Sequence, residues 1–274
     1  MIDVSVLMPA IRVPNWKRMY DSITLSCQKY SFELVLVSPF DLPDSMKDLP
    51  NVKLIKDFGH PTRAAQIGLL HCEGRLLYHC VDDALFYTSA IDNAVEMHDK
   101  HLSGKDVVNM RYREGSNFSG QEFPPAFWWA HYHGELAALP GINKEWKMSM
   151  HPLMRTGYLK SLGGWDCSFE YINHPLHDLM FRVQADGGRL YDSPTTATSC
   201  DHHGGRTVDH AAIHDAQTLS DKPKFDKMYA LPGTARSRIK IPLNNWESTP
   251  DYWQRRFKGT RPTNYEEILA LNND

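Results

Sequence analysis

Along the first hundred residues, short apolar runs alternate with segments whose apolar positions recur every three or four residues. Val4-Ser5-Val6-Leu7-Met8, closed by Pro9, has the pattern of a strand buried on both faces. Asn15 stands where it can cap a helix carrying Trp16, Met19, Tyr20, Ile23 and Cys27 on one stripe. Residues 32–37 predict a second strand, ended by Ser38-Pro39, and residues 52–55 a third. Pro61-Thr62 opens a helix through Ala65, Leu69 and Leu70 that stops near Gly74. Residues 76–81 predict a fourth strand, followed at once by Asp82-Asp83. Ser89 starts a further helix through Ile91, Ala94, Val95 and His98, and Val107-Val108 follow as a strand.

Strands and helices alternating at this spacing make βαβ units. The fold class is therefore α/β, a mostly parallel sheet flanked by helices. Ligands in such sheets bind at the C-terminal ends of the strands, so the loops after Met8, Val37 and Val81 are expected to share one cleft.

From about 112 to 150 the pattern degrades, because Phe123-Pro124-Pro125-Ala126-Phe127-Trp128-Trp129 is too rich in proline and aromatics for a plain helix. Helices are expected over 156–162, before Gly163-Gly164, and over 175–185, before Gly187-Gly188. The expected organisation is a main domain over 1–218 and a basic, aromatic-rich C-terminal extension over 219–274, packed on it.

Composition narrows the class. The 274 residues are 42% hydrophobic and 23% charged, which excludes a disordered, collagen-like or coiled-coil chain. No apolar run approaches the roughly 20 residues of a membrane helix. The N-terminus reads directly as a strand, without the regions of a signal peptide. Five cysteines, at 27, 72, 80, 167 and 200, are odd in number and lack CxxC spacing. They predict small buried hydrophobes in a reducing, cytoplasmic setting.

Asp82-Asp83 is the most informative pair. Two acids at the end of a buried strand are costly unless they bind a cation or cap the next helix. A divalent ion that also holds a diphosphate needs only one or two protein carboxylates, since phosphate oxygens and water complete its shell.

The ordered set of motifs around this pair resembles glycosyltransferase family 2, nucleotide-sugar-dependent enzymes of the Rossmann-like GT-A fold. Val4-Ser5-Val6-Leu7-Met8-Pro9 resembles that family's opening strand, and Phe32-Glu33-Leu34-Val35-Leu36-Val37 its second. Gln66-Ile67-Gly68 sits where the family usually carries Asn-x-Gly. Glu73-Gly74-Arg75-Leu76-Leu77-Tyr78 resembles the lead-in to the acidic motif, with Val81-Asp82-Asp83 at the DXD-like position. Leu162-Gly163-Gly164-Trp165-Asp166 is close to the Gly-Gly-Phe-Asp element, and the match spans residues 3–190.

The resemblance implies a nucleotide-sugar donor, a Mn²⁺ or Mg²⁺ ion on its diphosphate, and transfer to an acceptor hydroxyl, usually with inversion. Carried over, Asp83 is the metal ligand and Asp82 faces the ribose or sugar. Pro9, Ala10, Arg12, Ser38 and Arg63 lie on loops expected at the donor. Ser38-Pro39 replaces an acid that often reads the base or ribose, which leaves the nucleotide open. Gly164, Trp165 and Asp166 fall at the acceptor. The family's Glu-Asp-x-Asp-Leu-x-x-Arg helix becomes Pro175-Leu176-His177-Asp178-Leu179-Met180-Phe181-Arg182. Asp178 is the expected general base, with His177 as partner or substitute. The competing reading makes Asp178 an acid paired with Arg182 one helical turn on.

Cys200-Asp201-His202-His203-Gly204-Gly205 follows the last expected strands, and His202 or His203 fits as a further metal ligand. His210 and His214 share one helix face, as helix-lining residues or a second metal site. Trp128 and Trp129 suit either a sugar-stacking acceptor platform or ordinary core filling. Two rival functions stand beside the transferase: a metal-dependent phosphohydrolase, suggested by His-Asp pairs at 98–99, 177–178 and 214–215, and a non-catalytic nucleotide-sugar-binding relative.

The net charge of −3 hides an uneven distribution. Residues 222–262 carry ten basic and three acidic residues, or +7, which leaves twenty basic and thirty acidic residues, or −10, elsewhere. Trp246, Tyr252, Trp253 and Phe257 are interleaved with the basic positions. Such a segment suits an anionic acceptor (glycan, glycolipid or nucleic acid with a hydroxylated base), or else a flap pairing with the acidic main domain.

Overall fold

The computed structural model describes residues 1–114, 121–122, 139–143, 145–200, 211–249 and 259–271, with backbone alone at 121, 122, 211, 212, 214 and 271. Its centre is a seven-stranded sheet. The chain begins with β1 (Val4–Pro9), α1 (Val13–Ser26), β2 (Phe32–Ser38), β3 (Val52–Lys56), α2 (Pro61–His71) and β4 (Leu76–His79). After β5 (Ala84–Phe86) come α3 (Ala90–His101), β6 (Val107–Asn109), β7 (Tyr112–Glu114), β8 (Gln121–Glu122) and β9 (Pro152–Arg155). Then follow α4 (Thr156–Ser161), α5 (Asn173–Ala185), β10 (Leu190–Asp192) and β11 (Thr198–Cys200). The helices α6 (Ala211–Ala216), α7 (Lys222–Met228), α8 (Thr234–Ser237) and α9 (Tyr265–Leu271) complete the described chain.

The order across the large sheet is β10-β6-β9-β4-β1-β2-β3. β1 pairs in parallel with β2 and β4, in register Val4 with Phe32 and Leu76. β9 is the exception, antiparallel to both β4 and β6. The apolar runs form these central strands because helices bury both sheet faces. On one face Val4, Val6, Met8, Leu34 and Leu36 pack with Trp16, Met19 and Ile23 of α1 and Ile91 and Val95 of α3. On the other, Leu7, Val35 and Val37 meet Ala65 and Leu69 of α2 and Leu176, Leu179 and Val183 of α5. Gly68 makes that contact possible: a Cβ there would stand 2.3 Å from Leu7 Cδ1 and 2.8 Å from Val37 Cγ2.

Two local expectations shift. Helix α1 starts at Val13 rather than after Asn15, because Pro14 in its first turn already holds a helical φ. Residues 112–114, which carry no usable pattern, join a second sheet of order β5-β11-β7-β8. Its strands are two or three residues long, too short for any period to show.

The segment after 218 is held by specific bonds. Phe225 and Tyr229 are buried with Phe169 and Phe181 in a third apolar cluster. Ile241 donates its N–H to the Leu162 carbonyl at 3.1 Å. Residues 211–228 form one helical run, with a π-helical turn over 217–221. All five cysteines are free and buried. Among the described residues, no helix is long and apolar enough to cross a membrane.

Candidate active site

A cavity of about 210 Å³ opens at the C-terminal ends of β1, β2 and β4. Pro9 at the end of β1 lines it with Ala10 and Arg12 beyond, Val37 near the end of β2 with Pro39 beyond, and Asp82 and Asp83 after β4. The three loops expected to meet do meet.

The two adjacent aspartates have different surroundings. Asp82 is 2% exposed. Its Oδ2 accepts from the Ile11 N–H at 2.7 Å, the Arg12 N–H at 2.6 Å and Trp16 Nε1 at 3.2 Å. Its Oδ1 accepts from Arg12 Nη1 at 2.5 Å. Asp82 therefore fixes the β1–α1 loop and the Arg12 side chain. Asp83 is 8% exposed, and its Oδ1 is buried with no hydrogen-bond partner among the described residues. Arg12 is an adjacent cation, with Nη2 3.7 Å from Asp83 Oδ2. An orphaned carboxylate oxygen facing a cavity is costly, and a hard divalent cation is the chemistry that satisfies it. Asp83 fits a metal ligand; Asp82 has the bonds of an anchor.

Glu114, at the end of β7, lines the same cavity. Burial pushes its carboxyl above the usual value, and the Asp83 charge adds to the shift. The floor is dry. Burial drives His79 down to about 3, with His151 adding to the effect, and drives His151 to about 4, so both imidazoles are neutral at pH 7. His151 Nδ1 lies 3.4 Å from Cys80 Sγ. Cys200 also faces the cavity, its thiol held protonated by burial and the Asp83 charge. Among the described residues no three His, Cys, Asp or Glu side chains converge as a metal cluster.

The side of the cavity next to β3 carries Asp57, which accepts from the Gly59 N–H at 2.8 Å and from Arg63 Nε at 3.1 Å. Arg63 itself reaches away, donating to the Trp246 carbonyl at 2.6 Å with its guanidinium 5.0 Å from the Trp246 ring centre. Ser38 is buried, and its Oγ accepts from the Phe40 N–H at 3.0 Å, forming the turn after β2. Ile213 of α6 and Ile268 of α9 supply apolar wall.

The Gly-Gly element and α5 build a separate cluster. Gly164, at φ +73°, presses so close to Gln66 that a Cβ would stand 2.1 Å from Oε1. Gln66 Oε1 accepts from the Trp165 N–H at 2.8 Å, while its Nε2 donates to the Gly163 and Leu243 carbonyls. Trp165 is fully buried, its ring 5.2 Å from that of His79. Asp166 Oδ2 bonds Arg238 Nη2 at 2.6 Å. Burial opposes ionisation of Asp166, but the Ser168 N–H and Arg238 outweigh it and hold its carboxyl low.

Asp178 is 0% exposed. Its Oδ2 accepts from Arg182 Nε at 2.8 Å, and its Oδ1 from Tyr229 Oη at 2.7 Å and from Arg238 Nη1. His177 is buried, its ring packed against His174 and Phe225. Neither lines the cavity; Leu176 does, one of the two positions replacing the family's Glu-Asp pair. Of the expected site residues, then, Pro9, Ala10, Arg12, Asp82 and Asp83 come together at the cavity. Ser38, Arg63, Gly164, Trp165, Asp166, His177 and Asp178 do not line it. Trp128, Trp129, His202, His203 and His210 lie outside the described residues, as does the His214 side chain. Glu114, Asp57, His79 and His151 were missed. A carboxylate at the tip of a three-residue strand leaves no sequence signal, but His79, three residues before Asp82, could have been found from the strand's in-and-out alternation.

No family model and no curated protein matches the chain. Solved structures do. Residues 1–349 of S. aureus TarS in complex with UDP match at TM-score 0.52 and 13% identity, over 84% of this chain and 70% of that one. GalNAc-T7 with UDP, GalNAc and Mn²⁺ matches at TM-score 0.55 and 15% identity, over 91% of this chain and 58% of that one. A longer S. aureus TarS structure matches at TM-score 0.53 and 12% identity, over 98% of this chain and half of its own. With the sheet order and the shared cleft, these likenesses show that the chain has the GT-A glycosyltransferase fold.

Proposed function

We propose that the protein is a family 2-type glycosyltransferase that moves a sugar from a nucleotide-sugar donor to an acceptor hydroxyl with inversion. The observation that carries this reading is the division of labour between Asp82, fully bonded, and Asp83, with an open oxygen at the mouth of the cleft. The UDP bound in the similar TarS and GalNAc-T7 structures supports a nucleotide donor.

In this reading Pro9, Ala10, Val37, Pro39 and Ala64 offer an apolar wall to base and ribose, with Asp57 as a polar contact. Arg12, held by Asp82, meets the diphosphate. Asp83 holds Mn²⁺ or Mg²⁺, with His202 or His203 as a further ligand. The ion, when bound, supplies positive charge beside the leaving nucleoside diphosphate. Arg63 braces the wall through Asp57, and Ser38 shapes it. Asp178, with His177 packed beside it, acts as a positioning residue for the Gly164-Trp165-Asp166 element. That element supports an acceptor face to which Trp128 and Trp129 contribute. The basic segment after 222 favours an anionic acceptor: Arg236 and Lys240 are exposed, whereas Arg238 is tied to Asp166 and Asp178. Five free buried cysteines fit a cytoplasmic setting.

The test is a panel of nucleotide sugars with Mn²⁺, read as nucleoside diphosphate release and, with acceptors, by mass spectrometry. Release that disappears in Asp83→Ala is expected; no release and no nucleotide binding from any donor would sink the proposal. Leu176 at the cavity favours one second reading, a nucleotide-sugar-binding relative without turnover, for which binding would persist with every acceptor inert. The phosphohydrolase reading, drawn from the His-Asp pairs, would instead be favoured by release of inorganic phosphate from simple phosphoesters.

A further inference from the structure

The small second sheet brings a second carboxylate to the open oxygen of Asp83. Its middle strand, β11, runs between β5 and β7, with Cys200 opposite both Ala84 and Glu114. Because β5 is antiparallel to β11 and β7 is parallel to it, the start of β5 and the end of β7 lie at the same edge. Asp83, one residue before Ala84, and Glu114 therefore flank the C-terminal end of β11 from its two sides. Neighbouring strands lie about 4.8 Å apart, so the Cα atoms of Ala84 and Glu114 are about 10 Å apart across Cys200. Aspartate and glutamate side chains extending from the two sides span that gap around a cation.

Both carboxylates line the same cavity. The independent sign of a ligand is Asp83 Oδ1, a carboxylate oxygen buried without a partner among the described residues, on a residue more than nine-tenths buried. Arg12 stands on the other oxygen, with Nη2 3.7 Å from Oδ2, so the arginine leaves Oδ1 to the cavity. Two carboxylates in one enclosed space repel each other, and burial disfavours both charges. A divalent ion between them removes both penalties at once.

We propose that Glu114 is the second protein carboxylate of the divalent-cation site, closing it from the side opposite Asp83. The inference rests on the glycosyltransferase reading only for the third partner, the donor diphosphate. Mn²⁺ and Mg²⁺ take about six oxygen ligands. Two carboxylates leave positions for phosphate oxygens and water, without a dedicated protein cage. The intervening Cys200 does not compete, since a protonated thiol is a poor ligand for either ion. The same pair disfavours Zn²⁺, which prefers nitrogen and sulfur donors.

The test is calorimetric titration of MnCl₂ into the metal-free full chain, alone and saturated with UDP. It compares the unsubstituted protein with Asp83→Asn, Glu114→Gln and the charge control Asp41→Asn on the exposed surface. One Mn²⁺ per chain is expected, weakened about tenfold or more by Asp83→Asn and by Glu114→Gln and unchanged by Asp41→Asn. Glu114→Gln keeps the side chain's size, and a thermal melt confirms that it folds. If it does not, Glu114→Asp replaces it, with weaker Mn²⁺ uptake again expected because the shorter side chain falls back from the ion. Glu114→Gln, or Glu114→Asp in its place, titrating like the unsubstituted chain in both series overturns the proposal. So does a chain that takes up no Mn²⁺ in either. A separate UDP titration in EDTA distinguishes the two readings. UDP binding without Mn²⁺ uptake removes the cation site and leaves the transferase standing. Glu114-dependent Mn²⁺ uptake without UDP binding does the reverse.

Discussion

Two clusters in this molecule are built from the same parts, aspartates and arginines, and are finished differently. Beyond β4, Asp82 is saturated by Arg12, Trp16 and two backbone N–H groups, while its neighbour Asp83 keeps an oxygen that no described residue bonds. Behind the Gly-Gly element, Asp178 and Asp166 are bonded by Arg182, Arg238 and Tyr229, and Asp178 has no exposed surface. A complete cluster holds structure together. An incomplete one, at a cavity, has an oxygen left to bond.

The comparison is broken most directly at Asp178. Replacing it with Asn leaves Arg182 as a buried charge without its counter-ion, which should cost about 3–5 kcal/mol, while Arg238 keeps Asp166. The urea midpoint measures this, and a variant as stable as the unsubstituted chain that loses only turnover would reverse the assignment of roles. Asp83→Asn should do the opposite. Nucleoside diphosphate release is expected to fall about 10²-fold, with stability changed by less than about 1 kcal/mol. A stability loss on the scale of Asp178→Asn would erase the distinction.

Asp82→Ala lies between the two. It strands two backbone N–H groups and an indole N–H, which should cost about 2–3 kcal/mol, and it removes the Asp82 bond that orients Arg12, so nucleotide affinity measured by calorimetry should fall as well. The smallest effect concerns the buried floor that joins the clusters through Trp165. The unfolded chain protonates His79 and His151 near 6.5, but the folded chain does so only near 3 and 4. Stability contributed by the neutral forms is therefore present above 6.5 and falls as pH is lowered from 6.5 toward 4. The expected slope is about 1.4 kcal/mol per pH unit for each histidine. Denaturation midpoints at pH 7 and 5.5 should show His151→Gln losing about half of that dependence; an unchanged slope would mean that His151 titrates alike in the folded and unfolded chain.

The parts of the fold readable in sequence are those buried on both faces. Residues 4–9, 32–38 and 76–79 are apolar because helices cover them on either side, and that constraint leaves a run that no loop would carry. β9 was not readable. Its four residues follow a proline-rich stretch, and only the pairing with β4 and β6 makes them a strand. At the site, Asp82 and Asp83 were legible as a pair, but nothing in sequence separates the bonded one from the open one. The bonds to Asp82 come from residues 11, 12 and 16, about 70 positions away. Asp178 shows the same limit: Arg182 was foreseeable one turn along the helix, whereas Tyr229 and Arg238 arrive from more than 50 residues downstream.

The antiparallel β9 also sets a timetable. β4 cannot gain its second neighbour until residues 152–155 are made, about 70 residues after β4 itself. At roughly 5–20 residues per second, a nascent chain carries that edge unpaired for about 4–15 s. An apolar edge of this kind is a template for other strands. Ribosome-bound chains halted at residue 150 should thus be far more prone to self-association and chaperone capture than chains halted past 190, although both already contain the loops that form the mouth of the cleft.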